Sequence, residues 1–233
     1  MIGFTLSFPL TLTLTLFLIM LPKQENLPLA RQLAIQALLK TALAERAARG
    51  GGRYEGDRGG VERIGLRYLG RDFWLSFPRG TIEPSNGGSS VSPREEILIL
   101  HYLERASGNP LTEKWVSFGE IPGGQFYHPV FLQRCKAPLV KYFGEAPDQL
   151  LPAAAAEVQG EPWSMGDVGV KVRAFPLVSL GLVLWKGDPE FPPEGNVLFD
   201  ASITGFLSIE DVVILAETVV WKLIKAKSLE LRA

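Results

Sequence analysis

The chain has 233 residues and a mass of 25.6 kDa, a length that suits one sizeable domain. Apolar residues at 46% and charged residues at 21% exclude wholesale disorder, and 24 basic against 25 acidic side chains exclude the broad basic surface that nucleic-acid binding needs. A single cysteine, Cys135, excludes an intrachain disulfide framework, a cysteine-rich zinc site and a four-thiolate iron–sulfur cluster.

No charged side chain precedes Lys23, and residues 1–22 are almost wholly apolar or threonine, close to the length of a membrane span. Three readings stand for this leader: a secretory signal or anchor, a strand built on the Leu/Thr alternation from Leu10 to Leu16, or a start at Met20 that places residues 1–19 outside the protein. A signal peptide needs a basic residue ahead of the apolar run and a small-residue cleavage site, and both are missing, which favours Met20. The domain is then expected over residues 20–233, cytoplasmic if it starts at Met20 and membrane-anchored or exported if the leader is real.

Asn26 as N-cap and Pro28 in the first turn predict a helix from Leu27 to Arg49, stopped by Gly50-Gly51-Gly52. Residues 53–60, rich in glycine and charge, read as a flexible loop. Val61–Leu69 and Phe73–Phe77 read as a hairpin around a Gly70-Arg71-Asp72 turn, followed by loop over residues 78–92. Ser92-Pro93-Arg94-Glu95 has the spacing of a capping box and starts a helix over Arg94–Ala106, whose Ile97-Leu98-Ile99-Leu100 run marks it as buried.

Trp115–Phe118 reads as a short strand, and Val130–Tyr142 as a helix that Pro138 should kink. Asp148–Val158 is a further helix with Pro152 inside it. Val168–Phe175, Val178–Trp185 and Val197–Phe199 read as strands, the second apolar enough to lie centrally with both faces buried. Ser208 caps a last helix with Glu210 and Asp211 in its first turn. Interspersed helices and hairpins give an α+β fold: one domain, a mixed or antiparallel sheet and packed helices.

The two histidines, His101 and His128, are far apart and lack a His-x-x-x-His spacing, so the metal signal is weak. His101 lies in the buried-looking helix and suits a hydrogen-bonded core residue; His128 falls in a loop beside a helix start. Charge is segregated: residues 186–211 hold one basic and six acidic side chains, residues 40–72 eight basic and five acidic. Asp188 and Glu190 sit in a proline-rich loop after Trp185, and Asp200 follows a neighbouring strand. Such carboxylates serve a hard cation or acid–base chemistry, or they cap backbone N–H groups. His101, Tyr102, Tyr127, His128, Trp185, Asp188, Glu190 and Asp200 are therefore the candidate pocket. No Gly-x-Ser-x-Gly, phosphate-binding loop or basic–aromatic interleaving occurs, and Cys135 reads as buried and inert.

Four ordered strings, Glu96–Leu103, Trp115–Gly124, Leu184–Pro192 and Leu198–Ser202, resemble the bacterial and archaeal family called domain of unknown function 3786, over residues 27–224. The resemblance implies an anaerobic setting close to metal-cofactor or one-carbon metabolism, since some members carry an added cysteine-rich iron–sulfur segment. This chain, with one cysteine, departs from those members; Ser179 also stands where a proline is expected. The resemblance carries over no catalytic residue and no cofactor. It favours a soluble accessory or binding domain with a protein partner from that metabolism and no nucleic acid; the alternative is a cofactor- or metal-binding enzyme using His101, His128 and the Asp188/Glu190/Asp200 group.

Overall fold

A computed structural model of the protein describes residues 26–56 and 59–230; the leader, with its strand, anchor and Met20 readings, lies outside them. Helix α1 (Leu27–Leu39) starts at Asn26, whose side chain accepts the Leu29 N–H. The single helix expected to Arg49 is broken, because the Thr41 hydroxyl turns back onto the Leu38 carbonyl at 2.7 Å and Ala42 is extended. Helix α2 (Leu43–Arg49) follows, and the glycines end it in a Schellman turn: Gly52 N–H bonds Ala47 O and Gly51 N–H bonds Ala48 O, with Gly51 at φ 65°.

Sheet 1 is a four-stranded antiparallel meander of β1 (Arg53–Glu55), β2 (Glu62–Tyr68), β3 (Arg71–Phe77) and β4 (Thr81–Pro84). The hairpin turn is Leu69-Gly70, both at positive φ, one residue earlier than the sequence suggests, so Arg71 and Asp72 already belong to β3. Strands β1 and β4 occupy stretches expected to be loop, since pairing with β2 and β3 supplies order that their own residues do not encode.

Helix α3 (Pro93–Arg105) has the expected capping box: Ser92 Oγ accepts the Glu95 N–H while Glu95 Oε2 accepts the Ser92 N–H. Strand β5 (Trp115–Ser117) leads through a short 3-10 turn into helix α4 (Gly124–Phe131). A π turn over Leu132–Lys136 joins it to helix α5 (Ala137–Phe143). The wide turn lets Pro138 sit in a first-turn position, so the proline is absorbed rather than splitting the helix. Helix α6 (Leu150–Val158) tolerates Pro152 for the same reason, as first-turn N–H groups lack helical partners anyway.

Sheet 2, also antiparallel throughout, combines β5, β6 (Glu161–Trp163), β7 (Val168–Phe175), β8 (Val178–Trp185) and β9 (Glu194–Asp200) in the order β5-β9-β8-β7-β6. Strand β8 is central, as its apolar run requires, and every residue from Val178 to Leu184 is buried. Helix α7 (Ile209–Glu230) packs against α3, α5 and α6. The fold is α+β with two antiparallel sheets rather than one. Among the described residues no helix is long and apolar enough to cross a membrane.

The sheets meet at a seam. Leu69 N–H bonds Ala174 O at 2.9 Å, and an aromatic column runs from Tyr68 through Phe175 and Tyr102 to Phe206 with centroid spacings of 4.9, 4.1 and 5.6 Å. All four rings are buried. Such burial stabilises by about 1.5–3 kcal/mol per side chain, so the column contributes much of what joins the two halves.

Candidate functional site

The first turn of α7 gathers side chains from two other helices. His101, on α3, places Nδ1 2.9 Å from Asp211 Oδ1. Asp211 is buried, and its other oxygen accepts the Ser208 hydroxyl at 2.6 Å. The Asp211 hydrogen bond holds the His101 imidazole above its ordinary pKa, against an opposing effect of burial. One residue earlier on the same helix, Glu210 accepts the Tyr127 hydroxyl of α4 at 2.5 Å. That bond, with some burial, pushes the Tyr127 phenol up to about 12. A histidine and a tyrosine therefore share adjacent carboxylates. His128 lies on α4, not in a loop; it is exposed and faces Gly119, without a hydrogen bond to any described residue.

Tyr102 is occupied elsewhere. It is fully buried, donates to Gly50 O at 2.8 Å and accepts the Leu177 N–H at 3.3 Å. Burial raises its pKa above the ordinary phenol value. These bonds tie α3 to the α2 stop and to the β7–β8 turn.

Asp200 and the Asp188/Glu190 pair stand at opposite ends of β9. Trp185 pairs with Glu194 at the start of that strand, and Trp115 with Asp200 at its finish, about 20 Å away at the usual rise per residue. The approach of Asp200 to the acidic loop suggested by the sequence does not occur, because antiparallel pairing carries the β9 C-terminus away from the end of β8. Asp200 is buried and accepts five hydrogen bonds: from the backbone and hydroxyls of Thr112 and Ser202, and from Glu113 N–H at 2.6 Å. Burial pushes its carboxyl up, and the Ser202 and Thr112 donors outweigh it, leaving the pKa below the ordinary value.

Asp188 closes its own loop: Oδ1 accepts the N–H groups of Glu190 at 2.8 Å and Phe191 at 2.7 Å. Glu190 is exposed and Trp185 is 40% exposed. The loop, residues 186–193, borders a cleft of about 510 Å³ whose other wall is Gly144, Pro147 and Asp148. Lys186 Nζ reaches across it to Asp148 Oδ2 at 3.5 Å, and Phe191, 67% exposed, stands at its edge. Gly187 lets Pro193 fold inward, since a Cβ there would lie 2.8 Å from the proline ring.

Sequence reasoning named Asp188 and Trp185 but missed Asp148, Lys186 and Phe191 as one cleft, and missed Asp211 as the partner of His101. The acid in the first turn of α7 was visible; that α3 crosses it was not. Among the described residues no three His, Cys, Asp or Glu side chains come together to hold a metal ion.

Two antiparallel sheets joined by an aromatic seam and backed by α7 define the class of domain: a two-sheet α+β fold with an open cleft at one loop. The chain belongs to the family described as Domain of unknown function (DUF3786), whose model matches residues 42–222 and so takes in the cleft and the α7 cluster. No curated protein and no solved structure matches it.

Proposed function

We propose that this chain is a non-catalytic binding domain whose contact site is the cleft between the residue 186–193 loop and the connection from α5 to α6. The observation that carries this reading is the rim. Phe191 is 67% exposed beside a cleft with one cation, Lys186, and three carboxylates, Glu145, Asp148 and Asp188, on its walls, while Asp188 rigidifies the loop through two backbone bonds. Exposed aromatic anchors on stiff loops suit protein recognition, because little conformational freedom is lost on binding. Two of the candidate groups for acid–base chemistry, Tyr102 and Asp200, spend their hydrogen bonds inside the fold.

The expected setting follows from the family resemblance: a cytoplasmic accessory to metal-cofactor or one-carbon metabolism in an anaerobe, with its partner drawn from that chemistry. A second reading, proton transfer by His101, is favoured by one observation. Its side chain is held by Asp211 yet remains 31% exposed.

Native mass spectrometry with an absorption spectrum, on residues 20–233 purified without oxygen from an anaerobic host, tests the first reading. It predicts a co-purifying protein that Phe191→Ser and Lys186→Ala release while His101→Gln retains it. Turnover of a defined small substrate by the purified chain alone, abolished by His101→Gln, would replace it with the second.

A further inference from the structure

Where the two sheets meet, the tip of the β2–β3 hairpin, the end of α6 and the outer face of β7 enclose a second cavity, of about 280 Å³. Its lining includes three cations, Arg67, Lys171 and Arg173, against one carboxylate, Glu161. Lys171 and Arg173 are two residues apart on β7 and share a face, while Val170 and Val172 fill the core on the other. Arg67 comes from more than 100 residues away in the chain, brought there by the Leu69–Ala174 bond across the seam.

Two of the three cations, Arg67 and Lys171, are held in place. Arg67 Nη2 donates to Gln159 Oε1 at 2.5 Å, and its Nη1 lies 3.3 Å from both Asp72 oxygens. Gln159 holds a left-handed backbone, φ 51°, and packs on Gly70, where a Cβ would come within 2.6 Å of its Cγ. Lys171 Nζ sits 5.5 Å from the Trp115 ring centroid. Arg173 is exposed and makes no ion pair or hydrogen bond with the described residues.

Three like charges around one small cavity repel each other, and Glu161 in the lining together with Asp72, paired to Arg67, leaves one positive charge unbalanced. A compact anion supplies that balance, and guanidinium forks, the held one of Arg67 and the free one of Arg173, match phosphate and carboxylate oxygens in pairs. The volume lies near the lower limit of small-molecule sites, which admits a compact ligand only. We propose that this cavity binds a compact polyanion bearing phosphate or carboxylate groups. It is separate from the Phe191 cleft, with which it shares no lining residue, and the two readings stand or fall independently.

Titration calorimetry of the full chain at near-physiological ionic strength, with inorganic pyrophosphate in one arm and citrate in the other, tests this. Saturable one-to-one binding is expected in at least one arm, and the stronger arm identifies the anion as phosphate or carboxylate. Arg173→Gln should weaken it about tenfold, and the Lys171→Gln/Arg173→Gln double variant further, as charge-assisted bonds are removed. Arg173→Lys, which keeps the charge but loses the paired fork, should bind between the unaltered chain and Arg173→Gln. The control pair Arg94→Gln/Lys225→Gln removes the same charge from exposed positions elsewhere and should leave binding unchanged. Absence of saturable binding in both arms overturns the proposal. So does binding that the double variant leaves intact, or that the control pair weakens equally.

Discussion

His101 and Asp211, 110 residues apart in the chain, are joined by a 2.9 Å hydrogen bond that fixes α3 against the first turn of α7. Asp211 also accepts from Ser208, so one buried carboxylate both caps its own helix and holds another. Because that bond raises the imidazole pKa in the folded state, the stabilisation it gives is complete below the unfolded value of about 6.5 and is lost as pH rises through the higher folded one. Glu104 adds to the rise and Arg105 opposes it. His101→Gln should therefore cost most stability at mildly acidic pH, below about 1 kcal/mol given the partial exposure of the ring, with the gap narrowing as pH rises. Urea melts across a series of pH values measure it; a gap that widens with pH refutes the assignment.

Asp200 is the polar residue whose loss should matter most. Asp200→Ala leaves the donors of Thr112, Glu113 and Ser202 without their acceptor, and the expected cost is about 2–4 kcal/mol. Its depressed pKa gives stability that is present above about pH 3.9, the unfolded carboxyl value, and lost as pH falls toward the folded one. Denaturation of Asp200→Ala at pH 7 checks the first statement; a change under about 0.5 kcal/mol would mean the network is idle.

Gly181 lies beneath the Trp163 ring, where a Cβ would come 2.2 Å from ring carbon. Trp163 in turn lies 4.5 Å from Trp115, centroid to centroid. Gly181→Val should lift Trp163 from the sheet, shift tryptophan emission to longer wavelength and cost about 1–3 kcal/mol. Unchanged emission with unchanged stability would show that the ring has room.

Cys135 is fully buried, its thiol directed at Val213 O at 3.6 Å. Burial first, and the Glu217 carboxylate second, push it up to about 12. The native protein should resist an aromatic disulfide reagent at pH 8 and react stoichiometrically once unfolded in guanidinium. Fast labelling of the folded chain would contradict the burial.

The features legible in the sequence are those whose partners are near in the chain. Ser92 and Glu95 complete their own capping box, Ser208 caps α7, and the apolar run of β8 demands a central place. The features that escaped depend on distant partners. Three-residue β1 and β6 exist through the neighbours they pair with. Thr41 breaks a helix by one hydroxyl bond that competes with continuation, and a π turn makes Pro138 harmless. The candidate site followed the same division: Asp188 closing its own loop was among the readings open from the sequence, whereas His101 with Asp211, Tyr127 with Glu210, and the separation of Asp200 from Asp188 are set by helix crossing and strand register.

The order of strands also sets a timetable for synthesis. Each strand of sheet 1 pairs with the next in the chain, and β6, β7, β8 and β9 form a second run of successive neighbours. Strand β5 breaks that pattern: it is made before β6, β7 and β8, yet its neighbour is β9, with Trp115 opposite Asp200. On the ribosome it must wait, with its aromatic side chain uncovered, until the rest of the sheet has emerged. A nascent chain stalled after β8 would hold a closed first sheet and an unclaimed β5, and that is the segment a chaperone would grip.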